Sequence, residues 1–332
     1  MRIGRIACKR QELDLGITLN GGQSFRWLAI ENGAKYRGVY SGCVWTFSQD
    51  DENLHYVLHN SSINDETTCS NSLKKYFNLE TSLRDSINEW SSCDAQFEKS
   101  CNNAVGVRIL DQDIVENLFS FICSSNNNIP RISSMVEKMC THFGKKICQV
   151  DKKQYYDFPT IEALSQAKVE NILRNEGFGY RAAYIANAAK KLKELGGREW
   201  LNVLHKSKGG IYEKSRESLI TLPGIGPKVA DCICLMSLGH LEAIPVDTHI
   251  FQVAREMYMP HLKNQKTVTP KIHEQVSTYL RKLWGPHAGW AQTIVFCSKI
   301  GANEKKTVRR KQKNASDTKE STRSKKLKKT QT

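Results

Sequence analysis

The chain lacks any apolar run long enough to cross a bilayer, and its opening residues, Met1-Arg2-Ile3-Gly4-Arg5, lack the apolar stretch of a secretory signal. Neither a membrane protein nor a secreted scaffold is expected. Regular cysteine spacing is missing too: eleven cysteines, an odd number, are scattered along 332 residues, which predicts reduced thiols in an intracellular compartment rather than a disulfide framework. Cys232-Ile233-Cys234 has the wrong spacing for a zinc knuckle, so no metal and no other cofactor is expected. Negative charge is also scarce. Against 49 Lys and Arg stand 34 Asp and Glu, a formal net charge of +15. With no apolar span to direct that excess to a membrane, DNA or RNA is the expected acidic partner. Part of the excess is a tail: Glu304 to Thr332 holds twelve Lys/Arg against three acidic residues, a net +9, which leaves +6 for the rest.

What is present divides the chain into regions. From Leu13 to about Leu58, short runs rich in aromatic and β-branched residues are separated by Gly, Asn, Ser and Asp. The runs are Ser24-Phe25-Arg26-Trp27, Lys35 to Tyr40, Val44 to Phe47 and His55 to Leu58, and they predict an antiparallel sheet. The polar stretch Asn60 to Ser72 reads as a loop, and Leu73 to Asn103 as helical with Trp90 and Phe97 in the core. A β-rich lobe is therefore expected over 1–100. Helical periodicity then takes over in Asp113 to Ser124, Pro130 to Phe143, Ile161 to Asn175, Tyr184 to Leu195, Tyr212 to Leu222, Val276 to Leu283 and Ala291 to Ile300. The expected fold class is α+β: an antiparallel sheet lobe, a mainly helical core over 101–302, and a basic tail over 303–332.

The densest signal lies between Thr221 and Asp247. In Leu222-Pro223-Gly224-Ile225-Gly226, two glycines two apart permit a tight turn and a close backbone approach. Pro227 suits the first position of a helix, which predicts a hairpin of two helices over 212–237. Amides at that turn would form an anion site for a nucleic-acid phosphate, the usual sequence-independent contact. Lys228 and Cys232 are i and i+4 and share a helix face. Asp247, in Ile244-Pro245-Val246-Asp247-Thr248-His249, stands where a further helix, Thr248 to Met257, would begin. Taken singly, Lys228 serves equally as a phosphate contact and Asp247 as a helix cap; together they read as a catalytic pair.

These residues resemble the helix-hairpin-helix DNA glycosylase superfamily, through LPGIGPK and PVD. The resemblance extends, in order over about residues 13–300, to the eukaryotic 8-oxoguanine DNA glycosylase family. It is carried by Gly22 to Trp27, Phe119 to Ile129, Gly179-Tyr180-Arg181, Val229 to Met236 and Trp284 to Gln292. In that family a damaged guanine is swung out of the duplex into a pocket. The resemblance implies that Lys228 attacks C1′ as a Schiff-base nucleophile and that Asp247 stabilises the charge developing on the sugar. It implies that Cys232 and Phe296 sandwich the base, that Gln292 reads its Watson–Crick edge, and that the Gly22 carbonyl accepts the N7–H present only in the oxidised base. Asn126, Arg131, Tyr180 and Arg181 would fill the vacated stack and hold the orphaned cytosine, with Tyr180 as wedge. Gly224, Gly226 and His249 would contact phosphate. Without the resemblance, Phe296 would read as core, Gly22 as a turn and His249 as a surface residue.

The implied activity is that of a bifunctional glycosylase and AP lyase on duplex DNA with oxidised guanine opposite cytosine, acting as a monomer. The sequence departs from the family pattern at Pro227, in place of a small polar residue, and at Pro130, where a small residue is commoner. Superfamily members resembling endonuclease III carry four closely spaced cysteines after the aspartate as iron–sulfur ligands; here only Cys297 lies beyond Asp247. Two other readings stay open: a helix-hairpin-helix glycosylase for another damaged base, and a non-catalytic damage binder.

The tail clusters Arg309 to Lys313 and Lys325 to Lys329 read as a nuclear import signal and a non-specific DNA arm, or as a merely solvated tail. A nuclear protein is expected, with a mitochondrial form left open. Truncation after Gly301 is expected to lower nuclear accumulation and flatten the salt dependence of non-specific binding while leaving lesion choice intact. Imaging and salt titration check this, and unchanged localisation would count against the import role.

Overall fold

The computed structural model describes residues 1–60, 65–101 and 105–298. The basic tail and the end of the helix expected to reach Ile300 lie outside these residues.

Five antiparallel strands form the first lobe: β1 (Arg2–Ala7), β2 (Leu28–Ile30), β3 (Lys35–Tyr40), β4 (Cys43–Gln49) and β5 (Asn53–Leu58), in the order β1-β5-β4-β3-β2. Alternation in β5 turns Leu54, Tyr56 and Leu58 inward, where they meet Trp45 and Phe47 of β4. Helix Glu66–Tyr76 closes this core with Cys69, Leu73 and Tyr76.

Two expectations fail here for identifiable reasons. Ser24 to Trp27 is not a strand, because the Gln23 side chain ties the segment elsewhere: Nε2 donates to the Arg108 carbonyl at 2.7 Å and Oε1 accepts from the Leu110 amide at 3.0 Å. The strand begins only at Leu28. The polar stretch Asn60 to Ser72 is not all loop, because Asp65 caps a helix by accepting from the Thr67 and Thr68 amides. The helix expected over Leu73 to Asn103 is broken into Leu83–Cys93 and Ala95–Cys101 after the first helix ends. Trp90 and Phe97 are buried as expected, in the helical core rather than under the sheet.

The helical part is built around Ile114–Ile122, which is buried nearly all round and packs on the helix Pro227–Ser237. Ile129–Phe143, Arg181–Leu195, Pro270–Trp284 and a last helix over 288–298 surround that pair. A two-stranded hairpin, β6 (Lys146–Val150) and β7 (Lys153–Tyr156), interrupts the helices. Its turn residues Asp151 and Lys152 adopt φ of 47° and 65° without a glycine, so the usual turn signal is absent. Thr248–Val253 is shorter than expected, giving way to a π-helical turn over Ala254–Tyr258. No helix of the described residues is long and apolar enough to cross a membrane. Among those residues, no group of three or more His, Cys, Asp or Glu is placed to hold a metal.

Candidate active site

Two helices, Tyr212–Ile220 and Pro227–Ser237, enclose the glycine turn, and Leu222 and Ile225 anchor it in the core. Gly224 has φ 82°, and a Cβ built there would stand 2.7 Å from Cβ of Tyr184. Conformation and contact each require glycine. Gly226 is exposed and precedes Pro227 without a side-chain cap. Among the described residues the first-turn amides of that helix have no side-chain acceptor, which is the arrangement that takes a phosphate.

Lys228, on that first turn, is half-buried. Its Nζ lies 3.4 Å from Ser124 Oγ and 5.1 Å from the centre of the Phe121 ring. Among the described residues no carboxylate forms an ion pair with it. One turn on, Cys232 is buried, and burial pushes its thiol up to about 11 against the opposing pull of Lys228. The neutral thiol therefore offers polarisable packing surface rather than a nucleophile. Asp247 ends the buried segment Ala243–Val246 and caps Thr248–Val253, its Oδ1 accepting the Ile250 amide at 2.8 Å. Among the described residues Oδ2 has no hydrogen-bond or ion-pair partner.

Lys228 and Asp247 open onto the same cleft, whose volume is ≈ 1220 Å³. Small-molecule sites span ~300–1,000 Å³, so a flipped nucleotide has room here. Phe25, Phe121 and Phe296 supply apolar walls, and Gly22 and Asn126 also line it. Gly22 has φ 80°, with its built Cβ 3.4 Å from Ile129, so any side chain there would be strained. His249 is exposed on the rim and meets Phe296 edge to face, with ring centres 6.0 Å apart. Cys232 and Gln292 do not line the open cleft. Gln292 is buried one helical turn before Phe296, and its Oε1 lacks a partner, an unsatisfied acceptor next to a cavity wall.

A second group gathers on the loop 124–128. Tyr180, half exposed, donates from its hydroxyl to the Ser125 carbonyl at 3.2 Å. Arg181 is instead buried, with its Nη2 on the carbonyls of Ser125 and Asn126 and its guanidinium 4.5 Å from the Tyr180 ring centre. Asn126 is exposed at φ 48°. Arg131 is exposed and donates to the Gly177 carbonyl at 3.3 Å. Sequence reasoning did not single out Phe121 or Ser124, the two contacts of the Lys228 amine. Both lie within Phe119 to Ile129, and only the fold aims them at the lysine.

The family described as 8-oxoguanine DNA glycosylase, N-terminal domain, matches residues 5–118, and that described as HhH-GPD superfamily base excision DNA repair protein matches residues 119–284. The N-glycosylase/DNA lyase of Saccharomyces cerevisiae is 36% identical over 338 residues, covering 92% of this chain and 89% of that protein. The N-glycosylase/DNA lyase OGG1 of Arabidopsis thaliana is 37% identical over 298 residues, covering 88% and 79%. Among solved structures, the Clostridium acetobutylicum 8-oxoguanine glycosylase/lyase, in complex with duplex DNA containing cytosine opposite 8-oxoguanine, superposes with a TM-score of 0.75. It is 29% identical and covers 88% of this chain and 93% of its own.

Replacing Gly224 by Ala should cost about 1–2 kcal/mol for the left-handed backbone alone, besides the contact with Tyr184. The melting temperature and the affinity for undamaged duplex are both expected to fall. A melt and a filter-binding titration check this, and unchanged affinity would remove the turn from the DNA interface.

Proposed function

The chain belongs to the eukaryotic-type 8-oxoguanine DNA glycosylase family of DNA glycosylase/AP lyases, and on that premise we propose that it excises 8-oxoguanine opposite cytosine, with Lys228 as nucleophile. The observation that carries this reading is a half-buried amine without a carboxylate partner among the described residues, sharing a nucleotide-sized cleft with Asp247. An amine attacks only through its lone pair, so freedom from a counter-ion suits it to form a bond with the sugar C1′. As the glycosidic bond breaks, the Asp247 carboxylate stabilises positive charge on the sugar, and the base leaves. The amine gives up a proton to the departing base. The C1′–O4′ bond of the adduct then opens, with O4′ taking a proton, to leave a Schiff base at C1′. Its electron withdrawal permits loss of a C2′ proton and expulsion of the 3′ phosphate by β-elimination.

In this reading the flipped base stacks against Phe296 with Cys232 on its other side, so the wall between the cleft and Cys232 has to yield as the base enters. Gln292 brings an unpaired Oε1 to the base edge, and the Gly22 carbonyl takes the N7–H. The hairpin amides, Gly224, Gly226 and His249 hold phosphates. Tyr180 enters the vacated stack with Asn126. Arg131 is free to approach cytosine, whose N3 and O2 accept from arginine; Arg181 joins it once its guanidinium leaves the Ser125 and Asn126 carbonyls. Adenine presents an amino donor at that edge, so excision opposite adenine is disfavoured. The protein acts as a monomer, and its tail directs it to the nucleus.

The test is a cleavage panel over 8-oxoguanine, thymine glycol and formamidopyrimidine, each opposite all four bases, run with the wild-type chain and Lys228→Gln. The wild-type chain should act fastest on 8-oxoguanine opposite cytosine. K228Q should bind that duplex but lose excision and lyase products together, since an amide does not attack C1′. Preference for an oxidised pyrimidine, or excision by K228Q, would overturn the reading. Asp247→Asn should slow excision more than it weakens binding, because its charge acts mainly in the transition state; equal losses would reduce Asp247 to a helix cap.

A further inference from the structure

Gly22 borders the cleft that Lys228 and Asp247 share, and its neighbours on both sides are tied to one largely buried segment, 107–113, which belongs to no helix or strand. Before Gly22, Thr18 is fully buried near the end of helix Leu15–Asn20. Its Oγ1 accepts from the Arg108 amide at 3.2 Å and donates to the Gly106 carbonyl at 3.2 Å. After Gly22, Gln23 is 1% exposed. Both ends of its carboxamide are bonded: Nε2 donates to the Arg108 carbonyl at 2.7 Å, and Oε1 accepts from the Leu110 amide at 3.0 Å. The main-chain carbonyl of Gln23 is held as well, accepting from Nε2 of Gln112 at 3.0 Å. Gln112 in turn donates its own backbone amide to the Met236 carbonyl at 2.8 Å, on the helix that carries Lys228.

These bonds are mutually compatible, since each side-chain NH2 faces a carbonyl and the Gln23 Oε1 faces an amide. A carbonyl and the amide two residues on point the same way from an extended chain, so the Gln23 carboxamide takes the place that a peptide group of an adjacent strand would fill. A residue tied at both its side chain and its carbonyl has little freedom about its own Cα. Gly22 has more: at φ 80° it carries no Cβ to confine it. The peptide unit that joins the two residues is planar. The direction of the Gly22 carbonyl is therefore set at its Gln23 end.

We infer that Gln23 is a positioning residue for base recognition: anchored to Arg108, Leu110 and Gln112, it fixes the Gly22–Gln23 peptide and aims the Gly22 carbonyl at the flipped base. The inference rests on the reading that this carbonyl accepts the N7–H of 8-oxoguanine. Guanine presents a bare N7 acceptor at the same point, so two acceptors face each other. A fixed carbonyl rejects guanine by that repulsion, whereas a mobile one turns away and loses the distinction. Gln23 thus acts on the choice between the two bases, and cleavage at a site that has already lost its base does not pass through it.

The experiment compares Gln23→Met, which keeps the length of the side chain and removes both of its bonds, with Gln112→Met, which frees only the Gln23 carbonyl. Each is made in the wild-type chain and in the chain with Lys228→Gln, where binding is measured without turnover. The affinity for a duplex with 8-oxoguanine opposite cytosine is divided by that for the same duplex with guanine. This ratio is expected to fall about tenfold in Q23M and about threefold in Q112M, the scale of one buried hydrogen bond lost or weakened. Single-turnover excision of 8-oxoguanine should fall with the ratio, while lyase cleavage of a preformed abasic site stays within about twofold of wild type. An unchanged ratio, equal losses of excision and abasic-site cleavage, or failure of both variants to fold would overturn the inference and leave Gln23 a packing residue. If Q23M alone fails to fold, the ratio in Q112M decides. A K228Q chain with Gln23 intact that shows no preference for 8-oxoguanine over guanine would strike the function itself. A preference that persists undiminished in both variants would strike only this inference.

Discussion

The amine of Lys228 is half-buried beside a hydroxyl and an aromatic ring, and everything proposed for the site depends on its having no carboxylate partner. An ion pair would hold it protonated, and a protonated amine has no electron pair with which to attack. The fold commits one oxygen of each of two nearby carboxylates elsewhere. Asp247 commits Oδ1 to the Ile250 amide as a helix cap. Asp231, on the same helix as the lysine, is taken up by Tyr212 and Arg216. What remains near the amine is Ser124, Phe121 and the neutral thiol of Cys232. The hydroxyl can accept from an ammonium or donate to a free amine, so it orients the nucleophile in either protonation state.

The surroundings of the cleft divide the remaining work by chemistry. In the proposed function, affinity independent of sequence comes from the hairpin amides and from a basic chain. In the proposed function insertion into the duplex falls to Tyr180, which is half exposed and edge to face with Tyr184, their ring centres 5.8 Å apart. Tyr184 in turn packs under Gly224, so Tyr180 and the glycine turn share one neighbour.

Much of this organisation was legible in the residues because glycine and proline mark it strongly. Gly224, Gly226 and Pro227 mark the hairpin, and runs rich in aromatic and β-branched residues mark three of the five strands. The failures arose where a tertiary contact or a cap decides the backbone. Gln23 holds the segment before Leu28 out of the sheet, Asp65 starts a helix inside a polar stretch, and Asp151-Lys152 turns a strand pair without the residues that usually signal one. At the site, the long ordered string around Lys228 and Asp247 reads as a catalytic pair, and both residues line the cleft. Ser124 and Phe121 carried no comparable signal, since each meets the lysine only because the fold places it there. The buried position of Arg181 was likewise invisible, because a sequence does not show which carbonyls a guanidinium will find.

The central claim is that one particular amine forms the covalent link to DNA. Borohydride reduction during turnover of a duplex with 8-oxoguanine opposite cytosine freezes that link, and proteolysis with mass spectrometry of the adduct identifies the modified residue. The account predicts modification at Lys228 alone. A modified residue elsewhere, whether another lysine or the amino terminus, would contradict it.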